Sequence, residues 1–250
     1  MILMRLKFLR ETRKKQLSII PFIMTFANAC LGLMSVLYAF NGQFAAAAYC
    51  IIGAALLDAG DGKVARVLGS ASPIGMELDS LCDAVSFCFV PAIILYSWKL
   101  YAIHWVGILA VGVYLCAGLF RLAKFNLTSS GQRMFFKGLP TTIAAVWIAG
   151  LVTASCQLVT TQFHTMLEPY PLAVLVCFVA FLMISPLRFP TFKSKHYSLV
   201  VKVIGIVSFG VALYYVLHGA PFLLTMISFY IVTSMIYGLG LFVKKQLAFE

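Results

Sequence analysis

The sequence has little charge, and very little of that charge is negative. Only 11% of its 250 residues are Asp, Glu, Lys or Arg, and only eight of these are acidic, whereas 62% of all residues are hydrophobic. Soluble domains usually contain about 25% charged residues. A chain of this composition could not cover its apolar surface with polar groups in water. The lack of charge therefore excludes an ordinary soluble domain and favours an integral membrane protein.

The chain also lacks the sequence features of disulfide frameworks, zinc sites and cleavable leaders. Its seven cysteines are scattered and form no CxxC pair, so we expect them to be small apolar packing residues. The first apolar run continues to about Phe40 instead of ending at a small-residue cleavage site after ~7–15 residues. We therefore expect the basic N-terminal segment and this first run to remain part of the protein.

Long apolar runs occupy most of the sequence. A helix needs about 20 predominantly apolar residues to cross a hydrocarbon core of about 30 Å. Helices are the expected form, because the bilayer core offers no water to unpaired backbone groups. Eight runs meet this requirement, and we predict membrane spans at 19–40, 43–62, 76–97, 102–120, 141–157, 169–185, 199–217 and 222–242.

The basic residues predict the orientation of these spans. With the N-terminus in the cytoplasm, 18 of the 19 Lys and Arg residues fall on the inner side and only Lys99 falls outside. We predict an all-α integral membrane fold, with about eight transmembrane helices and both termini cytoplasmic. Residues 1–250 then form a single polytopic domain, of which 1–18 are a basic cytoplasmic segment. Topology and anionic headgroups account for the net charge of +11, so membrane lipids are expected partners and nucleic acid is not.

Five of the eight acidic residues lie between positions 58 and 83. Asp58 and Asp61 are three residues apart and share one helix face, and Asp79 and Asp83, four apart, share another. Pro73 and several small residues separate the two pairs, which allows the two helices to run antiparallel. We predict that the four carboxylates converge at the cytoplasmic membrane surface. The alternative is a set of unrelated acids at helix ends, but ionisable groups in spans are costly and usually functional.

Four converging carboxylates repel one another unless cations neutralise them. Oxygen ligands suit Mg²⁺ or Mn²⁺ better than zinc or copper, and two divalent ions would balance four negative charges. Pairs of ions about 3.5–4 Å apart recur in phosphoryl chemistry. The pattern therefore predicts metal-assisted displacement at a phosphate, with 58–83 as the catalytic motif.

The stretch DAGDGKVARVLGSASPIGMELDSLCD (58–83) resembles the signature of the CDP-alcohol phosphotransferase family, DxxDGxxAR followed after eight residues by GxxxDxxxD. Every fixed position of that signature is present: Asp58, Asp61, Gly62, Ala65, Arg66, Gly75, Asp79 and Asp83.

The resemblance implies a role for each of these residues. The four aspartates would hold two divalent ions, Mg²⁺ or Mn²⁺, and Asp83 would also act as general base. Gly62, Ala65 and Gly75 would allow close approach of a nucleotide and its pyrophosphate. The planar fork of Arg66 would bind a phosphate. The resemblance also suggests a homodimer. The predicted orientation of the spans makes the active site face the cytoplasm.

Other segments resemble the phosphatidylserine synthase branch of that family. They are IPFIMTFANACLGLMSV from position 20, FRLAKFN from 120, FKGLPTTIAA from 136 and SPLRFPTFK from 185. This resemblance implies transfer of the phosphatidyl group of a CDP-diacylglycerol-type lipid to L-serine, with release of CMP. Asn28, in the first segment, would face the nucleotide or, alternatively, bridge two helices.

A cationic pair could bind the carboxylate of serine. Arg121 and Lys124 are three residues apart at the inner end of the fourth span, and Asn126 follows. We predict a serine site there, although positive charge that only sets topology is the alternative. Two other functions remain open: the same transfer to glycerol phosphate or an inositol phosphate, and divalent-cation transport. A transporter would place its acids near the bilayer midplane, often in repeated segments.

Overall fold

A computed structural model describes residues 19–70, 72–128, 135–157, 165 and 167–190, together with 210, 226–228, 230–232 and 235. Helices account for nearly all of this part of the chain. They are α1 Ile19–Phe40, α2 Phe44–Leu68, α3 Pro73–Asp83, α4 Val90–Trp98, α5 His104–Thr128, α6 Thr141–Gln157 and α7 Pro169–Ile184. A π-helical segment, Ala84–Phe89, joins α3 to α4, and a 3₁₀ turn, Leu100–Ile103, precedes α5.

Four of these helical segments are long and apolar enough to cross a membrane: Ile19–Phe40, Phe44–Leu68, Pro73–Trp98 and Leu100–Leu127. They coincide with the first four predicted spans. Two shorter apolar helices, Thr141–Cys156 and Pro169–Ile184, match the next two. The predicted spans 199–217 and 222–242 lie almost entirely outside the described residues.

Helix α2 continues to Leu68, past the predicted end of its span at 62. The prediction followed the apolar run, whereas the helix extends through polar residues until Gly69 ends it. Gly69 adopts a left-handed conformation (φ 60°). The amide of Ser70 donates to the carbonyl of Ala65 at 3.0 Å, and that of Gly69 to Arg66 at 3.3 Å. This pair of bonds is a Schellman cap, which satisfies the last carbonyls of α2.

Helix α3 begins immediately after this cap. The side chain of Ser72 accepts a hydrogen bond from the amide of Gly75 at 3.2 Å, and Pro73 occupies the first helical position. Serine as N-cap and proline at the first position are both favoured at helix starts. The cap of α2 and the start of α3 thus reverse the chain within a few residues, which returns the second pair of aspartates to the first.

Helices α1 and α2 form a hairpin through a second Schellman cap. Gly42 is left-handed (φ 72°), and the amides of Gly42 and Gln43 donate to the carbonyls of Ala39 and Tyr38. Small buried residues of α2 let the two helices approach closely, and the hydroxyl of Ser35 donates to the carbonyl of Ala47 at 2.7 Å. Helix α2 packs against both α1 and α6.

The π-helical segment lies opposite α1 and next to a proline. A Cβ on Gly32 would lie 2.7 Å from the Oγ of Ser86, so a larger residue there would require the Ser86 side chain to shift. Pro91, just after this segment, has no N–H to donate to the preceding turn. The hydroxyl of the fully buried Tyr114, on α5, donates to the carbonyl of Phe87 at 2.9 Å.

Two short strands depart from the predicted all-α fold. Strand β1 (Phe135–Lys137) pairs antiparallel with β2 (Arg188–Pro190), with Phe136 opposite Phe189. Gly138 follows β1 with a φ of 81°, and a Cβ there would lie 2.1 Å from the carbonyl oxygen of Met183. The pairing joins the segment before α6 to the segment after α7. No hydrophobic pattern in the sequence predicts this contact.

Candidate active site

Three carboxylates meet where α2 ends and α3 begins. Asp58, Asp61 and Asp79 each offer a carboxylate oxygen within 4.8 Å of those of the other two. Asp58 and Asp61 share a face of α2, and the reversal between the caps brings Asp79 of α3 to that face. Asp61 is buried, and Asp58 and Asp79 are partly exposed. The predicted convergence of the two helices is therefore present for these three residues.

The fourth aspartate, Asp83, lies one turn further along α3. It is outside the close set of three found among the described residues. Its Oδ1 accepts a hydrogen bond from the Nδ2 of Asn28 at 3.4 Å. The side-chain amide of Asn28 is thus the donor and the carboxyl group of Asp83 the acceptor. Asn28 is fully buried, and its side chain links α1 to α3 beside the cluster.

Two threonines donate to the aspartates of α2. The hydroxyl of Thr25, on α1, lies 2.9 Å from Oδ2 of Asp61. The hydroxyl of Thr142, in the first turn of α6, lies 3.4 Å from Oδ2 of Asp58. Sequence reasoning gave neither threonine a role, although both fall in segments that resemble the phosphatidylserine synthase branch. Their position in those segments was the only available signal.

A cavity of about 290 Å³ adjoins the carboxylates. Four of the residues predicted to bind the nucleotide line this cavity: Gly62, Ala65, Arg66 and Gly75. Asp61 and Asp79 line it as well, so the cavity and the carboxylate cluster share two residues. The remaining lining residues come from α1 and from the α2–α3 connection, and sequence reasoning missed most of them: Pro21, Phe22, Thr25, Ser70, Ser72 and Met76.

The two predicted glycines differ in what surrounds them. A Cβ added to Gly62 would have no atom within 4 Å, apart from its neighbours in the chain and helix. A Cβ on Gly75 would lie 3.1 Å from the Oγ of Ser72, the capping residue of α3. Packing within the described residues therefore does not require glycine at 62, and the open space beside it is part of the cavity. At 75, an added Cβ would crowd the hydroxyl that caps α3.

The three residues predicted to bind serine do not share one environment. Arg121 is buried, and its NH1 donates to the Oγ1 of Thr141 at 3.3 Å. Lys124 is exposed. Asn126 is also exposed, and its Oδ1 accepts a hydrogen bond from Ser80 of α3 at 3.0 Å. Of the three, only Arg121 is buried in the protein interior.

The cluster fits a divalent cation by its donor chemistry. Its three closest members offer carboxylate oxygens, the ligands that Mg²⁺ and Mn²⁺ prefer. Thr25 and Thr142 are neutral donors, so they leave the negative charge of the cluster in place. The adjoining cavity carries the guanidinium of Arg66, whose geometry suits phosphate oxygens. The arrangement can hold a metal ion beside a bound phosphate group.

Comparison with known proteins gives a family match over the same region. The family described as CDP-alcohol phosphatidyltransferase matches residues 18–167, which include α1 to α6 and every residue of the cluster.

Curated relatives carry related names. The CDP-diacylglycerol–serine O-phosphatidyltransferase of Mycobacterium leprae is 42% identical over 154 residues, covering 59% of this chain and 51% of the relative. Its counterpart in Helicobacter pylori is 32% identical over 187 residues, covering 73% and 76%. The archaetidylserine synthase of Methanothermobacter thermautotrophicus is 32% identical over 173 residues, covering 68% and 69%. The chain thus spans about half the length of the mycobacterial relative and about three quarters of the Helicobacter one.

Proposed function

This chain belongs to the CDP-alcohol phosphatidyltransferase family, and we propose that it transfers the phosphatidyl group of a CDP-diacylglycerol-type lipid to L-serine. The products are phosphatidylserine and CMP. The observation that carries this proposal is the set of three carboxylates sharing Asp61 and Asp79 with a cavity that Arg66 also lines. The names of the bacterial and archaeal relatives both include serine.

Asp58, Asp61, Asp79 and Asp83 would hold two divalent ions, Mg²⁺ or Mn²⁺. When bound, such ions neutralise the charge of the pyrophosphate and of the leaving CMP. The close approach of three of these carboxylates supports this assignment. Asp83 lies one turn further along α3, outside the close set of three, and has a second role in the proposal.

The cavity would hold the nucleotide end of the lipid. Gly62 and Ala65 leave room along α2 for the pyrophosphate, and Gly75 does so at the start of α3. Arg66 binds a phosphate oxygen pair from the end of α2. Asn28 does not line this cavity. On α1 it donates to Asp83, and it would contact the nucleotide beside that residue. The lipid tails remain in the bilayer.

Asp83 is the proposed general base. The amide of Asn28 occupies Oδ1, which leaves Oδ2 to take the proton from the serine hydroxyl. The serine oxygen then attacks the lipid-side phosphorus, the bond between that phosphorus and the CMP oxygen breaks, and CMP leaves. Positioning and charge neutralisation supply most of the rate in such transfers.

The serine carboxylate would bind near Arg121, Lys124 and Asn126. Arg121 is the strongest of the three candidates, because its side chain is buried and donates to Thr141 at the start of α6. Lys124 and Asn126 lie at the exposed end of α5, where they would contact serine as it enters.

We further propose a single polytopic domain over 1–250 with eight membrane spans and both termini in the cytoplasm. The active site then faces the cytoplasm, and 1–18 form a basic cytoplasmic segment. The distribution of 18 basic residues on one side and Lys99 on the other supports this orientation. A homodimer is part of the proposal because the family resemblance implies one.

A panel of acceptors tests the proposed function. Purified protein receives CDP-diacylglycerol, Mg²⁺ or Mn²⁺, and one of L-serine, ethanolamine, glycerol phosphate or inositol phosphate, and CMP release and the lipid product are measured. We expect serine to be the best acceptor and ethanolamine, which lacks the carboxylate, to be poor. If glycerol phosphate outcompetes serine, the acceptor assignment is wrong, although membership of the family would stand.

A further inference from the structure

We infer that Thr25 and Thr142 are positioning residues that hold Asp61 and Asp58 in the geometry needed to bind a divalent cation. The inference rests on the proposed metal role of these aspartates. It assigns to two threonines, 117 positions apart in the sequence, one shared task at the two carboxylates of α2.

The contacts come from two different helices that both pack on α2. Thr25 lies on α1 and reaches Oδ2 of Asp61 at 2.9 Å, and Thr142 lies on α6 and reaches Oδ2 of Asp58 at 3.4 Å. Asp58 and Asp61 are one turn apart, so α1 and α6 each supply one donor to one of them. Each bond restricts the rotation of one carboxylate about its side-chain torsions.

The hydroxyl of Thr25 has a second possible acceptor, the carbonyl of Pro21 in its own helix at 3.0 Å. A hydroxyl carries one proton and cannot donate fully to both. A hydrogen bond to an ionised acceptor is roughly twice as strong as one between neutral groups. The donor therefore favours Asp61 over the Pro21 carbonyl, which lies one helical turn earlier.

The donors are neutral, and this distinguishes them from a structural ion pair. A lysine or arginine at either position would cancel one negative charge of the cluster. A threonine hydroxyl occupies one lone pair of one oxygen and leaves the carboxylate charge and its remaining lone pairs to a cation. Partners of this kind orient metal ligands, and their loss usually weakens metal binding about 10–100-fold.

The control comes from the same chain. Thr153, also on α6, is buried, and its hydroxyl donates to the carbonyls of Ala149 and Gly150 in its own helix. Thr153→Val therefore removes a buried hydroxyl from α6 without touching an aspartate. It separates loss of positioning from the general effect of replacing threonine by valine.

The experiment measures Mn²⁺ binding to purified protein without substrate, from the electron paramagnetic resonance of free Mn²⁺. We expect Thr25→Val and Thr142→Val each to raise the Kd about 10–100-fold, Thr25→Ser and Thr142→Ser to remain near wild type, and Thr153→Val to change nothing. Melting temperatures without metal verify folding, and Thr25→Ala and Thr142→Ala replace any valine variant that does not fold.

Two results would overturn the inference, and they are distinguishable. If wild-type protein binds Mn²⁺ and the folded valine or alanine variants bind it within about twofold of the wild-type Kd, the threonines do not position the ligands, while the metal assignment stands. If wild-type protein binds no Mn²⁺ or Mg²⁺, the metal role of the aspartates fails and the inference fails with it.

Discussion

At the scale of single residues, the most informative position is Gly62. Its α-carbon faces the cavity, and a Cβ there would meet no atom within 4 Å. Alanine should therefore fold without strain, and its better helix propensity should stabilise α2 by up to about 1 kcal/mol. The added methyl group would nevertheless occupy space that the proposed nucleotide needs.

We predict that Gly62→Ala raises the KM for CDP-diacylglycerol several-fold and leaves the melting temperature unchanged or higher. Gly112→Ala is the matched control, because Gly112 also lies in a helix and also has nothing within 4 Å of an added Cβ, but it does not line the cavity. Steady-state kinetics and thermal unfolding of both variants provide the measurement. Equal KM values for Gly62→Ala and wild type would remove Gly62 from the binding site.

The sequence predicted part of this residue-level detail. Spacing alone brought Asp58 and Asp61 to one helix face, and six fixed positions of the signature line the cavity. The bonds from Thr25 and Thr142 could not be predicted, because they join residues 36 and 84 positions apart. Such contacts depend on how each helix is rotated about its axis, which hydrophobicity does not specify in a membrane helix that is apolar on every face.

Arg121 and Lys124 illustrate the same limit. Their spacing of three residues predicts that both lie on one face of α5. In the structure Arg121 is buried and Lys124 is exposed. Residues three apart differ by about 60° around a helix, and here that rotation crosses the boundary between the protein interior and its surface. Spacing predicts proximity along a helix but not the position of that boundary.

At the scale of elements, the continuous α3–α4 helix depends on a contact with α5. Pro91 has no N–H to donate to the preceding turn, and Tyr114 donates to the carbonyl of Phe87. A buried carbonyl left without a partner costs about 1–3 kcal/mol. We predict that Tyr114→Phe lowers the free energy of unfolding by that amount, measured by thermal or denaturant unfolding in detergent.

A second substitution tests the cause of that loss. Pro91→Ala restores an N–H that can donate to the preceding turn, so Tyr114→Phe should cost less in the Pro91→Ala background than in wild type. A double-mutant cycle measures this difference. If Tyr114→Phe costs the same in both backgrounds, Tyr114 does not compensate for the proline.

Several elements were predictable from local chemistry. Gly42 and Gly69 mark the ends of α1 and α2, and Ser72 with Pro73 marks the start of α3, as capping preferences require. The π-helical segment and the β1–β2 pair were not predicted. The π-helical segment contacts Gly32 of α1 and Tyr114 of α5, which are distant in sequence. Each strand likewise has its partner in a distant part of the chain.

At the scale of the whole molecule, the proposed orientation follows from charge alone. It places Lys99, between α4 and α5, outside the cell and Lys63, near the cytoplasmic end of α2, inside. We predict that, in a variant without native cysteines, Lys99→Cys reacts with a membrane-impermeant maleimide in intact cells. Lys63→Cys should react only after the cells are permeabilised. The reverse pattern would invert the topology and put the active site on the outer face.

The central claim is that the carboxylates between α2 and α3 form the reaction centre for transfer to serine. The most direct test measures CMP and phosphatidylserine formed from CDP-diacylglycerol, L-serine and Mn²⁺ by wild type, Asp61→Asn and Glu77→Gln. Glu77 is the matched control, an exposed acid on α3 outside the close cluster. The account predicts equal amounts of both products from wild type, near-normal turnover by Glu77→Gln, and no detectable product from folded Asp61→Asn. Near-normal phosphatidylserine synthesis by Asp61→Asn would contradict it.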